Sequence, residues 1–347
     1  MFTHYPSTEQ FRHVITSVKR YAENRSEGLP TLKFVGTVKL HGSNAAIGFH
    51  KDDGHWCQSR NNVITPKKDF EGFAKSLSPV ADQFLTEFIL PQCPALREHY
   101  ESGRRIVLFG EWCGGKIQKN VAIFGLPKMF VIFNVQLCDD ETQTTGEEPD
   151  DSNDDESKNP RVWLPPQQWS HIKWHEKSIY NIYDFPTYDI DINFECPQLV
   201  QNKLIEITES VEEQCPVGSH FNRTGLGEGV VWTEWEKSNG SLVFKVKGEK
   251  HSVTKVETLA AVDTVKCENL QSFVNYACTE NRMEQGLEYM REQQLPIEMK
   301  NFGVFMKWLV GDIVKEEKDT MDASDINSAE VGRLVKSRVL PWFKNQL

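Results

Sequence analysis

Apolar positions up to about residue 250 fall in short runs separated by glycine and proline turns. Segments 32–38, 45–49, 105–111, 129–135, 229–233 and 241–246 read as strands. Several are nearly unbroken apolar runs, the pattern of strands covered on both faces. Helical stretches interrupt them at 79–88 and 196–215. The mixture predicts an α+β fold of packed antiparallel sheets with flanking helices. Beyond about residue 255 the pattern turns helical. Phe302, Phe305, Met306, Leu309, Val310 and Ile313 share one helical face. Val331, Leu334, Val335 and Val339 predict a final helix, stopped near Pro341 and capped by Asp325 or Ser328. The expected division is a larger domain at 1–250 and a small all-α domain at 251–347.

Composition narrows the class. A chain of 347 residues has room for one large domain and a smaller one. No apolar stretch approaches a membrane span. The start, Met1-Phe2-Thr3-His4-Tyr5-Pro6, has no basic flank followed by an apolar core, so no signal peptide is expected. The eight cysteines contain no CxxC pair and read as reduced thiols. Together these features predict an intracellular protein, cytoplasmic or in a host cytoplasm if viral, with no membrane partner; they leave the oligomeric state open, and a monomer is the expectation.

The net charge of −11 is concentrated in one place. Ten acidic residues and no basic one lie between Asp139 and Glu156, and without them the charge is −1. That segment has too few apolar residues to offset its ordering entropy, so 139–157 is expected to be a disordered loop. The remaining chain can still carry a basic groove.

The chemistry begins at Lys39-Leu40-His41-Gly42-Ser43-Asn44, between two predicted strands. A strand-end lysine in a small-residue turn is rigidly held, with room for a bulky ligand. Such a lysine suits nucleophilic attack on a nucleotide phosphate, and the competing reading is a solvated lysine in a polar hairpin. Five further segments follow in order: Ser59-Arg60-Asn61-Asn62, Leu108-Phe109-Gly110-Glu111-Trp112, Phe130-Val131-Ile132-Phe133-Asn134-Val135, Gly227-Glu228-Gly229-Val230-Val231 and Phe244-Lys245-Val246-Lys247.

The order and spacing of these six segments resemble the motifs of the covalent nucleotidyltransferases, the superfamily of ATP-dependent ligases and capping enzymes. Histidine two residues after the lysine is the RNA-ligase form, and the chain most resembles the RNA ligase 2 family. The resemblance implies a nucleotidyltransferase domain, ATP-grasp-like, followed by the helical domain. It implies an ATP-dependent RNA ligase that joins 5′-phosphate and 3′-hydroxyl ends, expected at nicks in duplex RNA, with Mg2+ or Mn2+. Lys39 would be the nucleophile, with His41, Gly42 and Asn44 around it. Arg60 would grip phosphate or ribose. Glu111 would join the ribose or backbone network, Phe133 would stack on adenine, and Glu228 would hold the metal. Lys245 and Lys247, on one face of a strand, would meet phosphate. Two positions depart from the family pattern: Asn134 stands where an acidic residue is common, and Val38 where some members are polar. A DNA ligase, a GTP-dependent capping enzyme and a catalytically decayed RNA- or nucleotide-binding module remain as alternatives.

Overall fold

The computed structural model describes residues 1–22, 28–69, 71–138, 161–254 and 258–347. The acidic segment expected to be a disordered loop lies outside the described residues. The chain forms two compact units. One comprises Met1–Glu9, Gly28–Glu195 and Ser210–Lys245; the other comprises Gln10–Glu27, Cys196–Glu209 and Val246–Leu347.

Twelve strands build two sheets among the described residues: β1 (Glu9–Gln10), β2 (Thr31–Lys39), β3 (Ser43–His50), β4 (Gly54–Ser59), β5 (Val63–Ile64), β6 (Arg105–Cys113), β7 (Met129–Cys138), β8 (Val162–Trp163), β9 (Ile179–Asn181), β10 (Thr187–Asn193), β11 (Gly229–Glu234) and β12 (Val243–Lys247). The five-stranded sheet runs β1-β12-β11-β2-β10, and the seven-stranded sheet runs β5-β4-β3-β6-β7-β8 with β9 beside β7. All the expected strand segments are present, and β9 is parallel to β7 whereas the other described pairings are antiparallel.

One face of the seven-stranded sheet is a dry core. Ile47, Phe49, Ile106, Leu108, Phe130 and Ile132 pack there against Phe73, Leu77, Phe84, Ile89 and Leu96. Those partners come from the helical run between Phe73 and Glu101, which covers the expected helix at 79–88. The opposite face carries Ala46, Trp56, Val107 and Phe109, with Phe133 packed on them. Strand alternation alone would put Phe133 and Val135 on the same face. A bulge separates them: Phe109 pairs with Asn134 and Gly110 with Ile132, so Phe133 is the extra residue. Val135 returns to the dry core, while Phe133 and Asn134 are both turned away from it.

In the second unit, Phe273, Leu287, Met290, Phe305, Leu309, Ile313, Val335, Val339 and Phe343 form a separate core. The helix Phe302–Glu316 buries Phe302, Phe305, Leu309 and Ile313, as its spacing predicts. The last helix departs from expectation at both ends. It spans Ser328–Lys344, and its cap is Asn327, whose side chain accepts the Ala329 N–H. Ser328 is already helical, and Asp325 lies before the cap with a left-handed backbone. Pro341 sits inside the helix rather than ending it. Phe343 is buried two residues later, with its ring 5.0 Å from Phe302 and 4.9 Å from Phe305. That packing holds the final turn despite the hydrogen bond that proline cannot make. All eight cysteines are free thiols. No helix among the described residues is long and apolar enough to cross a membrane.

Candidate active site

Lys39 ends β2 in one sheet, and Ser43 begins β3 in the other. The two strands are not hairpin partners, so the segment Leu40-His41-Gly42 is the crossing between sheets. Gly42 fits there only because it lacks a side chain: a Cβ would stand 2.6 Å from the Trp112 carbonyl oxygen and 2.7 Å from Cys113 Cβ.

The crossing brings distant carboxylates together. Gly229 of β11 lies opposite Lys39 of β2, which delivers Glu228 to the lysine. Lys39 Nζ donates to Glu228 Oε2 at 2.7 Å, and His41 Nδ1 lies 3.5 Å from the same oxygen. Glu228 is 2% exposed and Lys39 23%, so the pair opens to solvent from the lysine side. Glu111 of β6 accepts the Gly42 N–H at 2.8 Å through Oε1, and Asn44 is its register partner on β3. Removal from water pushes the Glu111 carboxyl up to about 7. Lys39 pulls against that rise, and Glu228 adds to it.

Glu228 is held by the loop before it. Ala122 N–H donates to the Leu226 carbonyl at 2.9 Å, Cys215 N–H to the Gly225 carbonyl at 2.9 Å, and Gly227 N–H to the Glu212 carbonyl at 3.1 Å. Gly225 has φ +141°, with Ala122 packed against it, so a side chain there would be strained.

Phe133 shares the site face of the seven-stranded sheet with Glu111 because of the bulge. Arg60 follows β4 and lies 3.4 Å from Ser7 Oγ through Nη2. Lys245 stands on the face of the five-stranded sheet that carries Lys39. Its neighbour Phe244 packs on Phe34 in the core at 5.3 Å, and both lysines alternate away from that side. Lys247 lies two residues further along β12. Thus Lys39, His41, Gly42, Glu111 and Glu228 are joined by direct contacts, and Asn44 is aligned with Glu111. Phe133, Arg60, Lys245 and Lys247 arrive on separate strands or strand ends. The buried Cys113 beside Glu111 has its thiol held well above the usual range by burial, which suits packing.

Sequence reasoning missed Tyr5. Its ring lies 5.2 Å from Phe133, 5.0 Å from Phe109 and 5.6 Å from Trp163. Its hydroxyl is hydrogen-bonded with the Asn134 side chain, while burial raises its pKa. The Gln58 side chain fixes the same segment, accepting from Thr3 N–H at 3.1 Å and donating to the Thr3 carbonyl at 2.6 Å. No motif or periodicity in the first six residues marks this role.

Among the described residues, no group of three or more His, Cys, Asp and Glu side chains is placed to hold a metal ion. Glu228 nevertheless offers a hard oxygen donor, with Glu111 nearby. One carboxylate plus substrate phosphates and water is a usual setting for Mg2+ or Mn2+.

The fold is thus α+β, with two antiparallel-rich sheets and flanking helices, and a strand-end lysine at the crossing between the sheets meets a buried glutamate. A family model, RNA ligase, matches residues 32–247, and the chain belongs to that family. Comparison with curated proteins finds no match. Among solved structures, the chain is similar to Naegleria gruberi RNA ligase. A glutamate-to-alanine variant with ATP and Mn matches at 16% identity and TM-score 0.40; another such variant, with AMP and Mn, matches at 17% and 0.41; the protein with PPi matches at 16% and 0.39. Each match covers 72% of this chain and 57% of the Naegleria chain.

Proposed function

We propose that this chain is an ATP-dependent RNA ligase that seals 5′-phosphate and 3′-hydroxyl ends, with nicks in duplex RNA as its preferred substrate. The observation that carries the reading is the crossing at Lys39. There three separate segments converge: Glu228 meets Lys39 and His41 of the crossing, and Glu111 accepts the Gly42 N–H of the same crossing.

Three transfers account for these residues. In the first, neutral Lys39 Nζ attacks the α-phosphate of ATP, forming a P–N bond as the bond to pyrophosphate breaks. The AMP then passes to the RNA 5′-phosphate, restoring the lysine. Finally the 3′-hydroxyl attacks that phosphate and AMP leaves. Such transfers are governed by positioning and charge stabilisation. Glu228 holds Lys39 in place before ATP arrives. When Mg2+ or Mn2+ is bound, Glu228 would hold it and Glu111 would stand close by, and the cation supplies charge stabilisation to the phosphates. Lys245 and Lys247 add cationic charge, which also favours the neutral form of the nucleophile. Phe133 offers a ring for the adenine, and Arg60 a fork for phosphate or ribose. Residues 1–250 carry adenylylation, whereas the helical remainder engages RNA.

Incubation with ATP and MgCl2 should add one AMP to the protein by intact mass, and Lys39→Ala should abolish the adduct. An adduct that persists in Lys39→Ala overturns the assignment. A DNA ligase or capping activity predicts sealing of DNA nicks, or uptake of GMP from GTP, under the same conditions.

A further inference from the structure

The sheet face that carries Glu111 continues beyond the proposed nucleotide site. Glu111 on β6 pairs with Val131 on β7, and Val131 pairs with Tyr180 on β9. Directly paired residues point to the same side of a sheet. Tyr180 therefore stands on the site face, two strands from Glu111, or about 10 Å by strand spacing. Its neighbours confirm the orientation. Ile179 belongs to the dry core, and the Asn181 side chain donates to the Trp169 and Ile172 carbonyls on that same side.

Tyr180 is the centre of a chain of rings. His175 stacks on it at 4.7 Å with 26° between planes, and Phe221 meets it edge-on at 5.4 Å. His220 lies edge-on to Phe221 at 4.9 Å. His220 is exposed, His175 is 49% exposed, and Tyr180 and Phe221 are half-buried. The cluster is built from two segments whose tight turns, at Ser178 and Asn222, use left-handed backbone. Two cations close in sequence to these rings, Lys177 and Arg223, are exposed, and Lys177 lies over the Trp174 ring at 5.7 Å. Asp184 is already engaged by Lys173, His175 and the Asn181 N–H, which leaves Glu176 as the exposed acid of the 173–185 segment.

We propose that the His175–Tyr180–Phe221–His220 surface is a stacking subsite for unpaired RNA bases, such as those of a strand end frayed from the duplex at a nick, next to the site at Lys39. Aromatic faces accept any base, and flanking cations meet the sugar-phosphate backbone; this combination suits single-stranded nucleic acid. Phe221 also lies seven residues before Glu228, so the ring surface and the carboxylate share one short stretch of chain. The proposal rests on the RNA ligase reading and extends it to a site outside the six motifs.

The test is binding of a short 5′-phosphorylated single-stranded RNA to the full chain by fluorescence anisotropy, at one fixed salt concentration. Phe221→Leu and Tyr180→Leu keep apolar bulk but remove stacking faces, and His175→Ala removes an exposed ring. Each should weaken binding about fivefold or more. Tyr180→Phe should bind like wild type. AMP uptake in the absence of RNA should be unchanged in all four. Normal AMP uptake with unchanged RNA affinity in Phe221→Leu, Tyr180→Leu and His175→Ala overturns the subsite alone. Weakened RNA binding in a protein that takes up no AMP keeps the subsite and removes the ligase reading. A wild type that is dimeric, becomes monomeric in Phe221→Leu and keeps its RNA affinity assigns these rings to self-association and also overturns the subsite.

Discussion

The environment of Glu111 changes how its carboxyl ionises. An exposed carboxylate after an apolar strand would ionise near 4.5, whereas burial pushes this one to about 7. Folded protein therefore keeps a proton between those values that the unfolded chain has released. The stability contribution from this group is fully present below 4.5 and is lost as pH rises through 7. Glu111→Gln removes the titration while keeping an oxygen that can accept the Gly42 N–H. The melting temperature of the variant relative to wild type should thus climb between pH 4.5 and 7.5. A difference that stays flat across that range would show that Glu111 is ionised throughout. At this scale the sequence was informative for Lys39, Glu111 and Glu228, because each lies at the end of a readable strand. It was silent on which carboxylate meets the lysine, since that depends on the pairing of Gly229 with Lys39, 190 residues apart.

Whole elements were legible where one face is dry. The runs behind β2, β3, β6, β7, β11 and β12 are strands, and the spacing of Phe302, Phe305, Leu309 and Ile313 gives the buried helix face. The bulge at Phe133 was not legible, because one extra residue leaves no trace in the apolar pattern of β7. The end of the last helix was misread, since buried Phe343 overrides the local preference of Pro341. The N-terminal segment gave no signal either, although Tyr5 packs against the bulged ring. That contact has a consequence for ATP. Tyr5→Ala removes a ring from beside Phe133 and frees the Asn134 side chain, so it should lower stability by roughly 2–4 kcal/mol. It should also weaken AMP uptake, while Tyr5→Phe, which keeps the ring, should restore most of the uptake. Equal AMP uptake by Tyr5→Ala and wild type, at a temperature where both are folded, would show that the segment does not support the site.

At the scale of the molecule, charge is the least evenly distributed property. Deleting 140–157 removes most of the formal charge and should leave Lys39 adenylylation within a few-fold of wild type; loss of the adduct or of folding would make the segment essential. A second consequence concerns the helical unit, whose core includes a buried ion cluster. Arg12, from the helix Phe11–Ala22, donates to Glu317 at 2.9 Å and to Asp319 at 2.7 Å. Arg282 donates to Glu317 at 3.1 Å, and Tyr276 O–H to the same carboxylate at 3.1 Å. Burial would raise the Asp319 carboxyl, but hydrogen bonds from His13 and Arg12 more than offset it and hold it below the usual range. Helix periodicity predicts the tail but not that a helix from residue 11 completes it, because the link is charge pairing across some 300 residues. A chain cut near Lys250 loses both carboxylates facing Arg12. It should still form lysyl-AMP, seal a 5′-phosphorylated nick poorly and melt at a lower temperature than the full chain. Arg12→Ala in the full chain should cost about 3–5 kcal/mol, as expected for breaking one side of a buried pair. The same substitution in the shortened chain should cost far less, because the partners are already gone. Equal costs in both chains would remove the ion cluster as the link between the first helix and the tail. Equal nick sealing by both chains, at the same salt concentration, would remove the helical unit from RNA engagement.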